Sequence, residues 1–178
     1  MRHITGNLVI TKENAKNYED VVSVGGYLNV LSGFNAPLLN SVSGYLDVSA
    51  DFTAPLLTSV GGIDVRADLN APMLTSVGGY LDVRADFNAP MLTSVGGHLI
   101  VFTDLNAPLL KIAHGVPATL LAKSNYCLFI GSDGYFYAGC RKFTLEEALD
   151  HWGDRSDDRA IMFTKAIKEY AASKGEIK

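Results

Sequence analysis

Apolar and polar residues alternate in short stretches that recur along the first two thirds of the chain. Leu46 and Val48 are apolar on either side of a polar residue, and Leu81 and Val83 repeat this arrangement. A period of two residues is typical of a β-strand with one buried face. The pattern therefore predicts one short strand in each of these stretches.

The stretches belong to an internal repeat with a period of 18 residues. The third copy is one residue short, because Ile63 stands where the other copies have two residues, and degenerate copies lie at 4–10 and 112–121. Eighteen residues are too few for a strand and a full helix with their loops, whereas they suit one coil of a parallel β-solenoid. The five full copies span 23–40, 41–58, 59–75, 76–93 and 94–111.

Three recurring residue types predict the corners of each coil. Proline lacks a backbone donor, so it belongs in irregular chain, and the glycine pair before each strand permits a tight bend. Asparagines one coil apart predict a ladder of side-chain hydrogen bonds along the solenoid axis. The proline positions are Pro37, Pro55, Pro72, Pro90 and Pro108, and the asparagine positions are Asn35, Asn70, Asn88 and Asn106.

Five apolar positions per coil are predicted to point inward and to stack into one continuous core. The missing residue of the third copy predicts a local bulge or a tightened corner that keeps the register. The inward positions are Val24, Val42, Val60, Val77 and Val95; Leu28, Leu46, Ile63, Leu81 and Leu99; Val30, Val48, Val65, Val83 and Val101; Phe34, Phe52, Leu69, Phe87 and Leu105; and Leu39, Leu57, Leu74, Leu92 and Leu110.

The segment APLLTSVGGYLDV resembles the repeat of receptor L domains and of fungal cell-wall leucine-rich proteins. It is also similar to phage and prophage proteins built of repeated LTSVGG units. Over roughly residues 4–121, the resemblance implies a mainly β fold: a right-handed parallel β-solenoid of leucine-rich-repeat type. Receptor L domains are extracellular and disulfide-bonded, but this repeat region has no cysteine. That difference favours an intracellular or phage-type relative.

The repeat ends near residue 121, and residues 122–178 are predicted to form a small α+β cap on the solenoid. Residues 126–130 and 135–139 flank a Gly-Ser-Asp-Gly turn, which predicts a β-hairpin. Thr144 and Glu147 form a capping box for a helix through Trp152, and a second helix is expected over about 157–173 with Ser156 as its N-cap. The segment GYFYAGCRKFTLEEALDHWGDR resembles a C-terminal module of phage-encoded proteins, to which no catalytic role is attached.

Tyrosine, aspartate and arginine occupy the predicted outward positions of the strands. Aspartate also recurs in a turn position, at Asp51, Asp68, Asp86 and Asp104. This face has the composition of a protein-binding surface. The candidate binding residues are Tyr27, Tyr45, Asp47, Asp64, Arg66, Tyr80, Asp82, Arg84, His98 and Phe102.

Other interpretations of the same face remain open. The aspartates can simply be solvated turn residues, with Asp64 and Asp82 paired to Arg66 and Arg84. A calcium site is disfavoured because the ladder lacks converging oxygen ligands, so no metal is expected. Mimicry of DNA by the acidic ladder is a minor alternative, since two arginines interrupt the ladder and its spacing differs from that of phosphates.

Residues of catalytic type are present without a catalytic arrangement in the sequence. Asp150 and His151 are consecutive on a predicted helix and should point apart, and Cys140 is expected to be a small buried residue at a strand end. Phosphate-binding loops, dinucleotide glycine patterns and zinc motifs are absent from the sequence. We therefore expect no enzyme activity and no cofactor, and an enzyme with its site in the C-terminal module is the least favoured alternative.

Composition and charge disfavour some kinds of binding partner and some cellular locations. The net charge of −4 disfavours direct binding of nucleic acid, and neither a membrane span nor a signal peptide is recognisable. Two cysteines, Cys127 and Cys140, fit a reducing compartment, so a cytoplasmic location is expected. The sequence predicts a non-catalytic scaffold that binds a host or phage protein, as an inhibitory anti-defence protein of a phage would. A structural virion component is the main alternative, and a homodimer is allowed.

Overall fold

The computed structural model describes residues 1–103, 105–123 and 126–176, and its fold is mainly β. A β-solenoid of about six turns, each of roughly 18 residues, is followed by a small antiparallel sheet and two helices. The predicted fold class is confirmed. Asp104 lies outside the described residues, as does the side chain of Leu105.

The main solenoid sheet contains two parallel ladders, and equivalent residues of successive copies pair with one another. Val42 pairs with Val60, and Leu81 pairs with Leu99. The first ladder contains β1 (Arg2–Ile4), β3 (Val21–Val24), β6 (Ser41–Val48), β8 (Ser59–Val65), β10 (Ser76–Val77), β13 (Ser94–Val95) and β16 (Ile112–Ala113). The second contains β2 (Leu8–Ile10), β4 (Leu28–Val30), the later parts of β6 and β8, β11 (Leu81–Val83) and β14 (Leu99–Val101).

A second parallel sheet, which the sequence did not predict, runs along another side of the solenoid. Its two-residue strands hold the predicted asparagine ladder: Asn88 Nδ2 donates to Asn70 Oδ1 at 2.8 Å, and Asn106 Nδ2 donates to Asn88 Oδ1 at 2.9 Å. The strands are β5 (Phe34–Asn35), β7 (Phe52–Thr53), β9 (Leu69–Asn70), β12 (Phe87–Asn88) and β15 (Leu105–Asn106).

The predicted core columns are confirmed wherever their side chains are described. All are buried except Leu110, which is half-buried at the last coil. Each column brings a side chain onto its counterpart one coil away, as the parallel stacking of Phe34 on Phe52 illustrates. A sixth inward column was missed, because alanine after each asparagine carries little hydrophobic signal: Ala36, Ala54, Ala71 and Ala89.

The residue missing from the third copy is accommodated by a shift of register between β6 and β8. Val42 pairs with Val60 and Tyr45 pairs with Gly62, so β6 holds one more residue than β8 between these pairs. Beyond this irregularity the register is restored, and Val48 pairs with Val65. The predicted local adjustment is confirmed, and it keeps every inward column intact.

The solenoid ends earlier than the expected degenerate copy at 112–121. Only Ile112 and Ala113 continue the stack, and the chain then reverses at His114 and Gly115, both with positive φ. The next strand, β17 (Val116–Lys123), runs antiparallel to β16 and pairs with β18 on its other side. The expected boundary after residue 121 therefore falls inside β17.

The C-terminal sheet contains the predicted hairpin and one strand on each side of it. β18 (Cys127–Gly131) and β19 (Phe136–Ala138) form the hairpin, and β20 (Arg141–Phe143) extends it. A bridge between Leu99 and Gly139 ties this sheet to the last solenoid strand. The sheet thereby covers the C-terminal end of the solenoid, as predicted for a cap.

Two helices pack against the C-terminal sheet around a second hydrophobic core. α1 (Leu145–Gly153) begins with the predicted capping box, and α2 (Asp158–Lys174) ends at Gly175 in the left-handed region. The N-cap of α2 is Asp157, whose carboxylate accepts from the Ala160 amide; the prediction of Ser156 is wrong by one residue. The carboxylate also suits the positive end of the helix dipole.

The N-terminal end of the solenoid is closed by a short 3-10 helix (Ala15–Tyr18) and one asparagine. Asn14 Nδ2 donates to the backbone carbonyl of Val9 at 2.9 Å, and the Thr11 amide donates to Asn14 Oδ1 at 2.8 Å. Ala15 and Tyr18 pack against the solenoid core. The outer edge of β2 is therefore occupied by a side chain instead of another strand.

Candidate functional site

The candidate site is the outward surface of the main solenoid sheet, called here the strand face. The register brings Asp47, Asp64 and Asp82 side by side on successive strands. Tyrosines precede Asp47 and Asp82 by two residues, whereas Gly62 precedes Asp64, and arginines follow Asp64 and Asp82 by two residues. The structure brings together eight of the ten predicted binding residues along the middle coils, namely Tyr27, Tyr45, Asp47, Asp64, Arg66, Tyr80, Asp82 and Arg84.

Three tyrosines of the strand face form one continuous aromatic row. The rings of Tyr27 and Tyr45 stack with centroids 5.7 Å apart, and those of Tyr45 and Tyr80 lie 5.0 Å apart. Tyr45 and Tyr80 come from coils two repeats apart, and they meet across Gly62. Their exposed fractions are 52% for Tyr27, 43% for Tyr45 and 38% for Tyr80. The row is therefore both ordered and accessible.

The shortened third coil explains why the tyrosine row is continuous. A Cβ atom on Gly62 would lie 2.5 Å from Cε1 of Tyr45, so the ring occupies the space that a side chain at this position would need. Neighbouring strands are separated by about 4.8 Å, so rings two coils apart would otherwise be nearly 10 Å apart. Because the third copy has Gly62 where a tyrosine would otherwise lie, the rings of Tyr45 and Tyr80 can contact each other across it.

Two arginine–aspartate pairs lie beside the tyrosine row, as predicted. Arg66 Nε donates to Asp64 Oδ2 at 3.0 Å, and Arg84 Nη2 donates to Asp82 Oδ2 at 2.7 Å. In each case the hydrogen bond to the carboxylate raises the pKa of the arginine above its usual value. The charge of the acidic row is thus partly neutralised, and the guanidinium groups of Arg66 and Arg84 are held beside it by their aspartates.

The groove between the tyrosines and the acidic row retains polar atoms without partners. It has a volume of about 320 Å³ and includes Asn29 and Asp64 in its lining. Asn29 Oδ1 and Asp64 Oδ1 are both buried, and neither has a hydrogen-bond partner. Burial, followed by the charge of Asp64, raises the pKa of Tyr80, so its hydroxyl stays protonated and can donate. The Tyr80 hydroxyl can therefore donate a hydrogen bond to a ligand that stacks on the tyrosine row, whereas the two unpaired oxygens are closed off from solvent.

The two remaining candidate residues belong to the end of the strand face next to the cap. Phe102 lies under the guanidinium of Arg84 at 5.2 Å and contacts Tyr126 edge-on at 5.0 Å. His98 lies 6.0 Å from His114, between ring centroids. Tyr126 extends the aromatic surface into the cap, and the sequence did not identify it because it belongs to no repeated column.

His114 is a half-buried histidine that sequence reasoning did not single out. Its ring stacks on Tyr137 with centroids 4.7 Å apart, and its Nε2 atom is buried without a hydrogen-bond partner. Burial, and secondarily the neighbouring His98, lowers the pKa of His114 to about 4. Its backbone is left-handed at the chain reversal, a feature that the sequence does not reveal.

The residues of catalytic type lie around the cap. Both cysteines are free thiols, and burial raises the pKa of Cys127 to about 11. Cys140 is exposed, so the prediction that it is buried is wrong. Cys140 and His151 line the same cleft, whereas Asp150 is exposed on α1 and does not line it. Burial lowers the pKa of His151, and Arg155 lowers it further.

Within residues 1–103, 105–123 and 126–176, no group of three or more His, Cys, Asp and Glu side chains is placed to hold a metal ion. In the same ranges, neither helix is long and apolar enough to cross a membrane.

Comparison with protein-family models, with curated protein sequences and with solved structures found no match.

Proposed function

We propose that this chain is a non-catalytic scaffold that binds another protein through its strand face. The observation that carries the proposal is the ordered row of three exposed tyrosines beside two arginine–aspartate pairs. Tyrosine and arginine are the side chains that most often dominate the energy of protein interfaces.

The rigidity of the row favours tight binding. An exposed aromatic side chain that is already stacked loses little conformational entropy when a partner covers it. The arginines are likewise restrained by their aspartates, and the sheet beneath them is held by a continuous core. A partner that covers this face buries aromatic area without ordering it first.

The charge of the strand face indicates which side chains a partner would present to it. Asp47 accepts a hydrogen bond from Ser49, but among the ion pairs of the described residues it has no basic partner. A partner with a basic side chain opposite Asp47, and with an acceptor for the exposed Tyr80 hydroxyl, would be complementary. The resemblance to phage repeat proteins supports a host or phage protein in this role, including a host factor that the chain would inhibit in the cytoplasm.

The proposal is tested by photo-crosslinking in lysate of the cell that naturally makes the chain. A photoreactive phenylalanine analogue at Tyr45 should capture one protein reproducibly, and the double variant Tyr27→Ala/Tyr80→Ala should weaken binding of that protein by about tenfold or more. Tyr135→Ala is the matched control, because Tyr135 is an exposed tyrosine on the cap.

A partner captured equally well by the double variant would place the interface elsewhere and overturn the proposal. Loss of capture in the Tyr135→Ala control would have the same consequence, since it would assign binding to the cap. Circular dichroism of each variant confirms that the solenoid is folded.

A further inference from the structure

A second concave site lies where the end of the strand face meets the cap. It is a cleft of about 290 Å³, called here the aromatic–arginine cleft. The rings of Phe102 and Tyr126 line one part of it, and Phe143, Trp152 and Phe163 line another. Trp152 lies 4.8 Å from Phe143 and 5.4 Å from Phe163, between ring centroids, so this part of the lining is a packed aromatic surface.

The polar part of the lining is cationic. Arg141, Arg155 and Arg159 contribute to the cleft, and no acidic side chain is among its lining residues in the described part of the chain. Within those residues, Arg141 and Arg155 make neither an ion pair nor a side-chain hydrogen bond. Arg159 reaches Asp157 only at 3.9 Å, and its guanidinium lies 5.0 Å from the ring centroid of Tyr126.

Three converging arginines are notable in a chain with a net charge of −4. Burial is the largest cause that lowers the pKa of the neighbouring His151, and the charges of Arg155, Arg141 and Arg159 lower it further. The three positive charges therefore lie close to the same side chain. The arginines of the strand face contrast with them, since each of those is paired with an aspartate. The guanidinium groups of Arg141 and Arg155 are unpaired and that of Arg159 is only loosely paired with Asp157, so an anion would complete their hydrogen bonding.

We propose that the aromatic–arginine cleft binds a small molecule that joins an aromatic ring to a phosphate, which is the chemistry of a nucleoside monophosphate. The ring would stack on the aromatic lining, and the guanidinium groups would take the phosphate through paired hydrogen bonds. The volume lies at the lower end of the range for ligand pockets, which suits a molecule of this size. This site is separate from the tyrosine row and does not depend on the function proposed for it.

The chain contains its own reporter for this binding, because Trp152 is its single tryptophan and lines the cleft. Titration with AMP, GMP, CMP and UMP should change the tryptophan fluorescence saturably for at least one of them. The corresponding nucleoside and inorganic phosphate, each lacking half of the recognised chemistry, should bind at least about tenfold more weakly.

Substitution of single arginines separates a specific site from general charge attraction. Arg141→Gln and Arg155→Gln should each weaken nucleotide binding by about tenfold, because each removes a charged donor to the phosphate. Arg66→Gln is the matched control, since it removes the same charge from the strand face and should leave the affinity unchanged. Equal weakening in all three variants, or no saturable change with any nucleotide, would overturn the proposal.

Cys140 offers a second, independent readout. It is exposed and lines the cleft, whereas Cys127 is buried and should react slowly with a thiol reagent. A bound nucleotide should slow the modification of Cys140 several-fold in the native chain, and half-maximal protection should need about tenfold more nucleotide in Arg155→Gln. Modification at the same rate with and without saturating nucleotide would place the ligand outside the cleft and overturn the assignment.

Discussion

The solenoid and the cap use hydrophobic residues in different ways. In the solenoid, the neighbour of a buried residue is its own counterpart one coil away, as with Val48 and Val65. In the cap, Trp152 packs against Phe143 and Phe163, which come from other elements. Their cores are also separate clusters, except where the chain reverses near His114. A repeated core can be deduced from one copy, whereas a core without repetition must be assembled from unlike parts.

The largest expected effect compares one phenylalanine from each core. Phe87→Ala and Phe163→Ala each remove a buried ring and should each cost about 3–5 kcal/mol of unfolding free energy. Their effects on amide hydrogen exchange should differ: Phe87→Ala should lower protection through the coils, and Phe163→Ala should lower it first in the helices. Urea denaturation gives the energies, and the same exchange pattern in both variants would show that solenoid and cap unfold as one unit.

Gly61 and Gly78 occupy the same position in successive copies, but their substitution by alanine should change stability by different amounts. A Cβ on Gly61 would lie 2.3 Å from the Ser43 carbonyl oxygen, while a Cβ on Gly78 would be 3.5 Å from the Gly61 carbonyl oxygen. Gly61→Ala should therefore cost about 1–3 kcal/mol, because backbone must move apart between coils. Gly78→Ala should be neutral or slightly stabilising. Thermal denaturation of the pair tests this, and equal destabilisation would contradict the close stacking of the bend.

The junction between the two regions should make stability depend on pH. His114 is neutral in the folded chain with a pKa of about 4, while an unfolded histidine takes up a proton near pH 6.5. Its contribution to stability is therefore complete above about pH 6.5 and is lost as the pH falls toward 4. Urea denaturation at pH 7.5, 5.5 and 4.5 measures this.

The matched control for the junction is His114→Asn, since asparagine accepts the left-handed backbone at this position and does not titrate. The variant should lose less stability on acidification than the native chain does. Parallel pH profiles for the two chains would show that other groups cause the acid sensitivity.

The smallest effect on stability is expected at the strand face. Asp64→Ala combined with Asp82→Ala should change the unfolding free energy by less than about 1 kcal/mol, because the paired guanidinium groups remain exposed and can be solvated. A larger loss in a chemical denaturation experiment would mean that the acidic row supports the fold. The same variant should weaken binding of the proposed partner, which separates the two roles.

Repetition explains which parts of the structure could be predicted. Each inward column appears five times, so the burial of Leu57 or Val83 follows from its position in the copy. The two-residue strands such as Phe87–Asn88 are too short to show alternation, and they were missed. The reversal at His114 was also missed, because the apolar residues after Ile112 continue to resemble a coil.

Of the two candidate sites, the one built from repeated positions could be predicted from the sequence and the other could not. The arginine–aspartate pairs of the strand face could be predicted because strand geometry places residues two apart on one side. The aromatic–arginine cleft could not, since Tyr126, Arg141, Arg155 and Arg159 are spread along the sequence and meet only after the cap has packed against the solenoid. No spacing rule relates them.

The asparagine at the N-terminal end of the solenoid has a consequence for how the protein behaves at high concentration. Strands stacked at regular spacing with a bare edge are a template for fibril growth, because each added strand exposes an identical edge. Val9 would present that edge, but its carbonyl is already taken by Asn14. At this strand, one amide side chain thus occupies the acceptor with which a strand of a second molecule would pair.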